Sequence, residues 1–82
     1  MKYILVTGGY GGMGAATAKT LAESGFTVFA LDKKVGNAEN GIIPIKADIT
    51  DEDSVKSAAL EIGKVTDSLF AIIHFAGIYM LD

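Results

Sequence analysis

Five of the ten glycines in this chain lie within eight residues, in the stretch TGGYGGMG. The stretch follows an apolar run typical of a strand, Tyr3–Val6, and precedes an alanine-rich segment typical of a helix, Ala15–Glu23. A glycine-rich turn between a strand and a helix can bind phosphate, because the backbone approaches a pyrophosphate closely and the unpaired N–H groups at the helix start receive its charge. The sequence therefore predicts that one continuous turn begins a dinucleotide site: Gly8, Gly9, Tyr10, Gly11, Gly12, Met13 and Gly14.

The glycines satisfy three overlapping patterns, namely GxGxxG starting at Gly9 and both TGxxxGxG and TGxxGxxG starting at Thr7. The first part of a P-loop fits as well. However, Ala15 and Ala16 stand where a P-loop requires a lysine and a serine or threonine. Without the phosphate-binding lysine and the magnesium-binding hydroxyl, hydrolysis of a nucleoside triphosphate is disfavoured.

A carboxylate at the end of the second predicted strand supports the dinucleotide interpretation. Asp32 follows Thr27–Leu31 and lies 18 residues after Gly14. A carboxylate at this point can accept hydrogen bonds from both ribose hydroxyls of NAD, and it repels the additional phosphate of NADP. Lys33 and Lys34 keep NADP open as an alternative, because either lysine could pair with that phosphate. We expect NAD as the cofactor, with NADP less favoured, and count Asp32 and Lys33 among the binding residues.

Apolar periodicity predicts the element order β-α-β-loop-β-α-β. The predicted segments are strands at Lys2–Val6, Thr27–Leu31, Ile42–Ile45 and Leu69–Phe75, helices at Ala15–Glu23 and from Thr50 onward, and a loop at Lys33–Gly41. Pro44 lacks a donor for the strand ladder and therefore fits an edge strand. In the doubly wound strand order 3-2-1-4 this strand lies at the edge. We therefore predict an α/β fold, a Rossmann-like parallel sheet of four strands in the order 3-2-1-4, in which right-handed crossovers place one helix on each face.

The two helices carry more detailed expectations. Met13, Thr17 and Leu21 share one helical face, which predicts that they pack in the core, and Gly25 is placed to end the first helix in a left-handed conformation. The hydroxyl of Thr50 is expected to cap the second helix. The apolar stripe of the second helix is expected to be buried: Val55, Ala58, Ala59, Ile62 and Val65.

Composition narrows the class of protein. A net charge of −3, with seven lysines and no arginine, argues against nucleic acid as a partner. The absence of cysteine excludes disulfides and thiolate metal sites. The first residues are too short an apolar run for a signal peptide, and no run approaches the ~20 residues of a membrane span. We therefore expect a cytoplasmic chain without a membrane partner.

With its TGxxxGxG pattern, the chain resembles the short-chain dehydrogenase/reductase family over its whole length. The resemblance implies that Gly8 to Met13 wrap the pyrophosphate and the adenosine ribose, and that Asp32 holds the ribose diol. It also implies that Asp48 hydrogen-bonds the adenine amino group, with the Ile49 backbone beside the ring.

The end of the fourth predicted strand matches the family less well. Ala76 and Gly77 correspond to the last two residues of the family's Asn-Asn-Ala-Gly segment, which runs beside the inner ribose of the cofactor, and Phe75 precedes them there. His74 and Phe75 replace the two asparagines that brace the sheet in the family. A His-x-Ala ending also resembles the extended branch of sugar-nucleotide epimerases and dehydratases, which stays open as an alternative. A lone His74 at a strand end is interpreted as structural, because no base and orienting partner are recognisable in the sequence.

The family's reaction passes a hydride to or from nicotinamide, and a tyrosine with a lysine four residues later handles the substrate proton. Neither Tyr3 nor Tyr10 is followed by lysine at that spacing, and Tyr79 has no residue there. No catalytic residue is therefore predicted. We expect residues 1–82 to be the N-terminal, truncated part of a dinucleotide-binding Rossmann domain that is inactive alone.

Two further expectations concern how the chain acts. A stand-alone NAD-binding or redox-sensing module is the alternative to the N-terminal part of an oxidoreductase. The fourth predicted strand, residues 69–75, would leave an open apolar edge, and such edges invite pairing with another chain. We therefore expect self-association through this edge.

Overall fold

The computed structural model describes residues 2–75. These residues form β1 (Tyr3–Thr7), α1 (Gly12–Glu23), β2 (Thr27–Asp32), β3 (Ile42–Lys46), α2 (Glu52–Gly63) and β4 (Ala71–His74). The predicted element order is confirmed, including a loop rather than a helix between β2 and β3. A single antiparallel bridge between Glu39 and Ile42 interrupts that loop within the described residues.

The strands form one parallel sheet in the order β3-β2-β1-β4, as predicted. Leu5 of β1 stands between Phe29 of β2 and Ile72 of β4, which fixes the register across the centre of the sheet. Pro44 lies in β3 at one edge, where its missing N–H breaks no ladder. From β1 the chain adds β2 and β3 on one side, and it then crosses back to add β4 on the other side of β1. The strand order therefore reverses between the parallel neighbours β1 and β4.

The two helices cover opposite faces of the sheet, because the right-handed crossovers β1–α1–β2 and β3–α2–β4 run in opposite directions along it. On the α1 face, Ala18 packs on a buried cluster formed by Ile4, Val6, Val28, Ala30 and Ile42. On the α2 face, Ala58 and Ile62 pack on a second cluster formed by Phe29, Leu31, Ile45 and Ala47. Fully burying one such large apolar side chain contributes about 1.5–3 kcal/mol to the free energy of unfolding. The two clusters therefore stabilise the packing of one helix on each face of the sheet.

Helix α1 begins three residues earlier than predicted, at Gly12, so that the last residues of the glycine turn belong to its first turn. Gly25 has φ of +100°, which confirms the left-handed end of this helix. The expectation that Met13 packs in the core is wrong, because its side chain is 73% exposed. The face of α1 that meets the sheet is formed by the small residues Gly14 and Ala18, one position further along the helix, and it permits close approach.

Helix α2 corrects two expectations. Its N-cap is Asp51, whose carboxylate accepts the N–H of Asp53, and not Thr50. Only part of the apolar stripe is buried: Val55 is 43% exposed and Val65 is 47% exposed, and Ala59 is also exposed. The reason is that the buried residues of α2 pack over β2 and β3, so the flank of the helix that points toward β1 and β4 is uncovered.

An apolar groove of about 500 Å³ runs along this uncovered flank. Its apolar lining includes Leu5, Leu31, Ile49, Val55, Ile62 and Leu69. Next to it, Ile72 of β4 is 62% exposed on the same face as Leu5. Neither helix in the described part of the chain has the length and apolar character needed to cross a membrane.

Candidate functional site

The N-terminus of α1 differs from that of α2 in a way that favours an anionic ligand. Gly11 occupies the N-cap of α1 without a side-chain hydrogen bond, and no acidic residue lies in the first turn. The first turn of α2, in contrast, carries Glu52 and Asp53 behind the capping carboxylate of Asp51. The first N–H groups of α1 therefore keep free hydrogen-bonding capacity and the positive end of the helix dipole.

The glycines of the turn serve different steric purposes. Gly8 adopts φ of +72°, which side chains disfavour. A Cβ on Gly14 would lie 1.8 Å from the carbonyl oxygen of Gly8, and a Cβ on Gly9 would lie 2.8 Å from the Cβ of Ala30. No atom lies within 4 Å of the corresponding position on Gly12. Gly8, Gly9 and Gly14 thus build the turn, whereas Gly12 leaves open space in front of it.

Gly12 also lines a cavity of about 510 Å³ beside the carboxyl ends of the central strands. In open parallel sheets, ligands bind in the crevice outside these strand ends, where the strand order reverses. The lining contains Gly8, Gly11, Gly12, Met13, Gly14, Leu31, Asp32, Lys33, Ala47, Ile49, Thr50 and Phe75. The structure therefore brings most of the predicted binding residues together around one cavity.

Asp32 is held in place at the end of β2 by two backbone donors. The N–H of Tyr10 donates to Oδ2 at 3.1 Å, and the N–H of Lys33 donates to Oδ1 at 2.8 Å. Each carboxylate oxygen retains capacity for a further hydrogen bond. The carboxylate is thereby oriented at the cavity by the glycine turn on one side and by the chain after β2 on the other.

The side chain of Asp48 belongs to a tight turn that precedes α2. Its Oδ1 accepts both the hydroxyl of Thr50, at 2.6 Å, and the N–H of Thr50, at 2.9 Å. These hydrogen bonds lower the pKa of Asp48, the hydroxyl more than the N–H, and the positive charge of Lys33 acts in the same direction. The N–H of Asp48 donates to the hydroxyl of Ser54 at 2.8 Å. Asp48 itself does not line the cavity, although Ala47, Ile49 and Thr50 do.

Gly9 and Tyr10 also lie apart from this cavity. Both line a smaller recess of about 240 Å³ on the α1 side, together with Lys19 and Glu39. Only the backbone of Tyr10 faces the candidate site, through its hydrogen bond to Asp32. Ala76 and Gly77, which the resemblance placed beside the inner ribose, lie outside the described residues.

His74 forms a hydrogen bond through Nδ1 with the hydroxyl of Thr7. Because these two residues are register partners on β4 and β1, the bond braces the two strands across the sheet. This contact agrees with the structural interpretation of His74. It also supplies a cross-strand bond at a position where the resembling family has asparagine.

Three residues of the cavity were not anticipated from the sequence: Leu31, Ala47 and Thr50. Both Leu31, near the end of β2, and Ala47, directly after β3, are buried. The pattern indicated only that Leu31 belongs to a strand, and it assigned no role to Ala47. Thr50 carried a usable signal, since it follows Asp48 and Ile49 directly, but it was interpreted as a helix cap.

The sheet order, the glycine turn and the cavity at the strand ends define a Rossmann-type dinucleotide-binding region. Comparison with known proteins agrees. A family model described as short chain dehydrogenase matches residues 2–82. The NADPH-dependent 1-acyldihydroxyacetone phosphate reductase of Schizosaccharomyces pombe is 39% identical over 82 residues, covering 93% of this chain and 28% of the relative. The acetoacetyl-CoA reductase of Synechocystis sp. is 35% identical over 77 residues, covering 94% of this chain and 32% of the relative.

Solved structures share the fold. The ligand-free aldohexose dehydrogenase of Thermoplasma acidophilum is 31% identical, with a TM-score of 0.82 over 96% of this chain and 31% of that chain. A short chain dehydrogenase of Leptospira borgpetersenii with bound NAD+ is 26% identical, with a TM-score of 0.81 over 99% of this chain and 33% of that chain.

This chain belongs to the short-chain dehydrogenase family. It spans between 20% and 32% of the length of the first three curated relatives that it matches. The family and the fold are thereby established for the region that these residues form.

Proposed function

We propose that this chain binds the adenosine and pyrophosphate half of NAD, as the cofactor-binding region of an oxidoreductase that transfers hydride between nicotinamide and an alcohol or carbonyl. One observation carries the proposal: the uncapped N-terminus of α1 and the carboxylate of Asp32 face the same cavity at the strand ends. The helix N-terminus can bind an anionic group, and the carboxylate can accept hydrogen bonds from a sugar diol.

Each part of the dinucleotide has a proposed position. The pyrophosphate lies against the N–H groups of Gly12, Met13 and Gly14 in the first turn of α1. The adenosine ribose meets Asp32, with Lys33 beside it. The adenine ring lies toward Asp48 and Ile49.

At the other end of the cavity, Phe75 begins the wall that faces the inner ribose. We extend this wall to Ala76 and Gly77 on the family resemblance alone. These positions complete the proposed path of the cofactor across the strand ends.

NAD is the proposed cofactor rather than NADP, although one relative is named as NADPH-dependent. Asp32 is fixed by two backbone hydrogen bonds, so its charge cannot easily turn away from a 2′-phosphate. Two unit charges ~4 Å apart repel by about 1 kcal/mol even in bulk water, which corresponds to about fivefold in affinity.

The experiment is a calorimetric titration of the chain with NAD+ and NADP+. A charge-assisted hydrogen bond contributes about 1.5–3 kcal/mol, and asparagine retains part of it. Asp32→Asn is therefore expected to weaken NAD+ binding by roughly 5- to 20-fold and to strengthen NADP+ binding by roughly fivefold.

The matched control is Asp67→Asn, which removes the same charge from an exposed residue outside the cavity. It is expected to leave both affinities unchanged. Unchanged preference in Asp32→Asn would refute the ribose assignment.

We also propose that the chain self-associates through β4. The outer edge of β4 pairs with no strand among the described residues, and Ile72 is 62% exposed beside the apolar groove. Unpaired N–H and C=O groups with adjacent apolar surface favour pairing with a second copy. Sedimentation velocity over a range of concentrations tests this. A single monomeric species at high concentration would contradict it.

A further inference from the structure

Tyr10 points its ring away from the dinucleotide cavity and toward the loop at residues 33–41. The ring packs against the buried cluster on the α1 face. It also approaches Gly36 so closely that a Cβ there would lie 3.2 Å from Cε1 of the tyrosine. The ring therefore fills the space between the glycine turn and the middle of this loop.

The backbone of the same residue reaches the proposed ribose site. The N–H of Tyr10 donates to Oδ2 of Asp32, and the N–H of Lys33, the first residue of the loop, donates to Oδ1. The two carboxylate oxygens of Asp32 are therefore bonded by the glycine turn and by the loop at residues 33–41, and the Tyr10 ring packs between these two segments. A displacement of the loop would move Lys33, whose N–H is one of the two hydrogen-bond donors to Asp32.

The hydroxyl of Tyr10 does not account for this packing. It is buried and has no hydrogen-bond partner of normal geometry among the described residues, although the backbone of Gly36 lies close enough to lower its pKa. Burial raises the pKa of Tyr10, the charge of Glu39 raises it further, and the backbone of Gly36 acts in the opposite direction. A buried hydroxyl without a partner is unfavourable, so the contribution of Tyr10 comes from its ring.

We propose that Tyr10 is a positioning residue that sets the preference for NAD over NADP, by fixing the loop at residues 33–41 against the glycine turn. The inference rests on the proposed function. With the loop fixed, Asp32 stays at the ribose and the lysines that follow it cannot rearrange around a 2′-phosphate. Without the ring, Lys33 and Lys34 gain freedom to approach that phosphate, and the charge of Asp32 is oriented less strictly.

The test compares NAD+ and NADP+ titrations of the wild-type chain, Tyr10→Phe and Tyr10→Ala. Tyr10→Phe keeps the ring and is expected to retain the wild-type ratio of the two dissociation constants. Tyr10→Ala is expected to lower the ratio of the NADP+ constant to the NAD+ constant at least fivefold. Tyr3→Ala is the matched control, because it removes a ring stacked on Phe29 in the other face of the sheet. A loss of stability alone would weaken both cofactors together and leave the ratio unchanged, as expected for this control.

Amide hydrogen exchange supplies a readout that needs no ligand. The amides of Lys33 and Glu39, which donate to Oδ1 of Asp32 and to the carbonyl oxygen of Ile42, are expected to exchange at least fivefold faster in Tyr10→Ala than in wild type, and at the wild-type rate in Tyr10→Phe. If Tyr10→Ala does not fold, Tyr10→Leu takes its place in both measurements, because leucine retains apolar bulk without reaching Gly36.

An unchanged ratio in a folded variant without the ring would overturn the inference while leaving the proposed function intact. Unchanged loop exchange would overturn it equally. A wild-type chain that binds neither dinucleotide would overturn the proposed function and this inference with it.

Discussion

Substitution of Gly12 by alanine distinguishes the stability of the fold from ligand binding at the cavity. The added methyl group is expected to raise the stability and to weaken the binding. No atom lies within 4 Å of the place that a Cβ on Gly12 would occupy, and Gly12 does not adopt positive φ. Gly12→Ala is therefore expected to fold normally. The added methyl group, however, would project into the space proposed for the pyrophosphate.

The expected magnitudes follow from these contacts. Alanine is favoured over glycine in a helix interior by about 0.5–1 kcal/mol. Because Gly12 is the first residue of α1, we take the lower value, about 0.5 kcal/mol, which for a domain of this size raises Tm by about 2–4 °C. Exclusion of a pyrophosphate from two or more N–H groups removes at least one charge-assisted hydrogen bond of about 1.5–3 kcal/mol. This loss weakens NAD+ binding by at least tenfold.

The assay combines a thermal melt followed by circular dichroism with an NAD+ titration of the same sample. Gly63→Ala is the matched control, because Gly63 also lies in a helix with no atom within 4 Å of its Cβ position and is remote from the cavity. It should raise Tm similarly without changing the affinity. Gly14→Ala is expected to be destabilised by about 3 kcal/mol, since its Cβ would collide with the Gly8 carbonyl. A Gly12→Ala variant that binds NAD+ as tightly as wild type would refute the placement of the pyrophosphate.

Two other predictions concern separate parts of the chain. Thr50→Val removes one donor to Asp48, so the pKa of that carboxyl should rise toward its ordinary value of 3.8, measured by NMR titration. A lowered carboxyl pKa stabilises the folded state above the ordinary value, and this contribution disappears as the pH falls through the lowered one. The variant should therefore be less stable than wild type at pH 7 and equally stable once the carboxyl is protonated in both; an equal difference at all pH values would contradict this. Ile72→Lys should shift any dimer seen by sedimentation velocity to monomer, whereas Leu60→Lys, on the exposed side of α2, should not; the same shift in both variants would argue against the β4 edge.

The sheet could be predicted from the sequence because its determinants are local and chiral. Apolar runs mark the four strands, Pro44 fits the edge position that the doubly wound order gives to β3, and right-handed crossovers place one helix on each face. Gly25 and Asp32 could be assigned for the same reason, since their positions follow directly from the end of a helix and the end of a strand. The structure places both as expected.

The errors arose where tertiary packing selects among locally equivalent choices. Thr50 and Asp51 are both acceptable caps, and only the competing hydrogen bond of Thr50 to Asp48 decides between them. Met13 and Gly14 differ by one helical position, and the helix turns its small residue to the sheet because Gly14 packs against Gly8.

The exposed flank of α2 and the direction of the Tyr10 ring have the same origin. Val55 belongs to an apolar stripe, but its burial depends on which strands the helix crosses. Tyr10 occupies a binding motif, but its ring packs against Gly36 in the loop that follows β2. Neither outcome has a signature in the spacing of residues.

Amide chemical-shift mapping with ADP-ribose tests the central claim most directly, because this probe contains the half of NAD that the cavity is proposed to hold. The largest shifts are predicted at Gly12, Met13 and Gly14, with further shifts at Asp32 and Lys33. Residues 56–60 of α2, none of which lines this cavity, should remain unchanged. Absence of shifts in the glycine turn, or shifts concentrated around the apolar groove, would contradict the assignment of this cavity as the dinucleotide site.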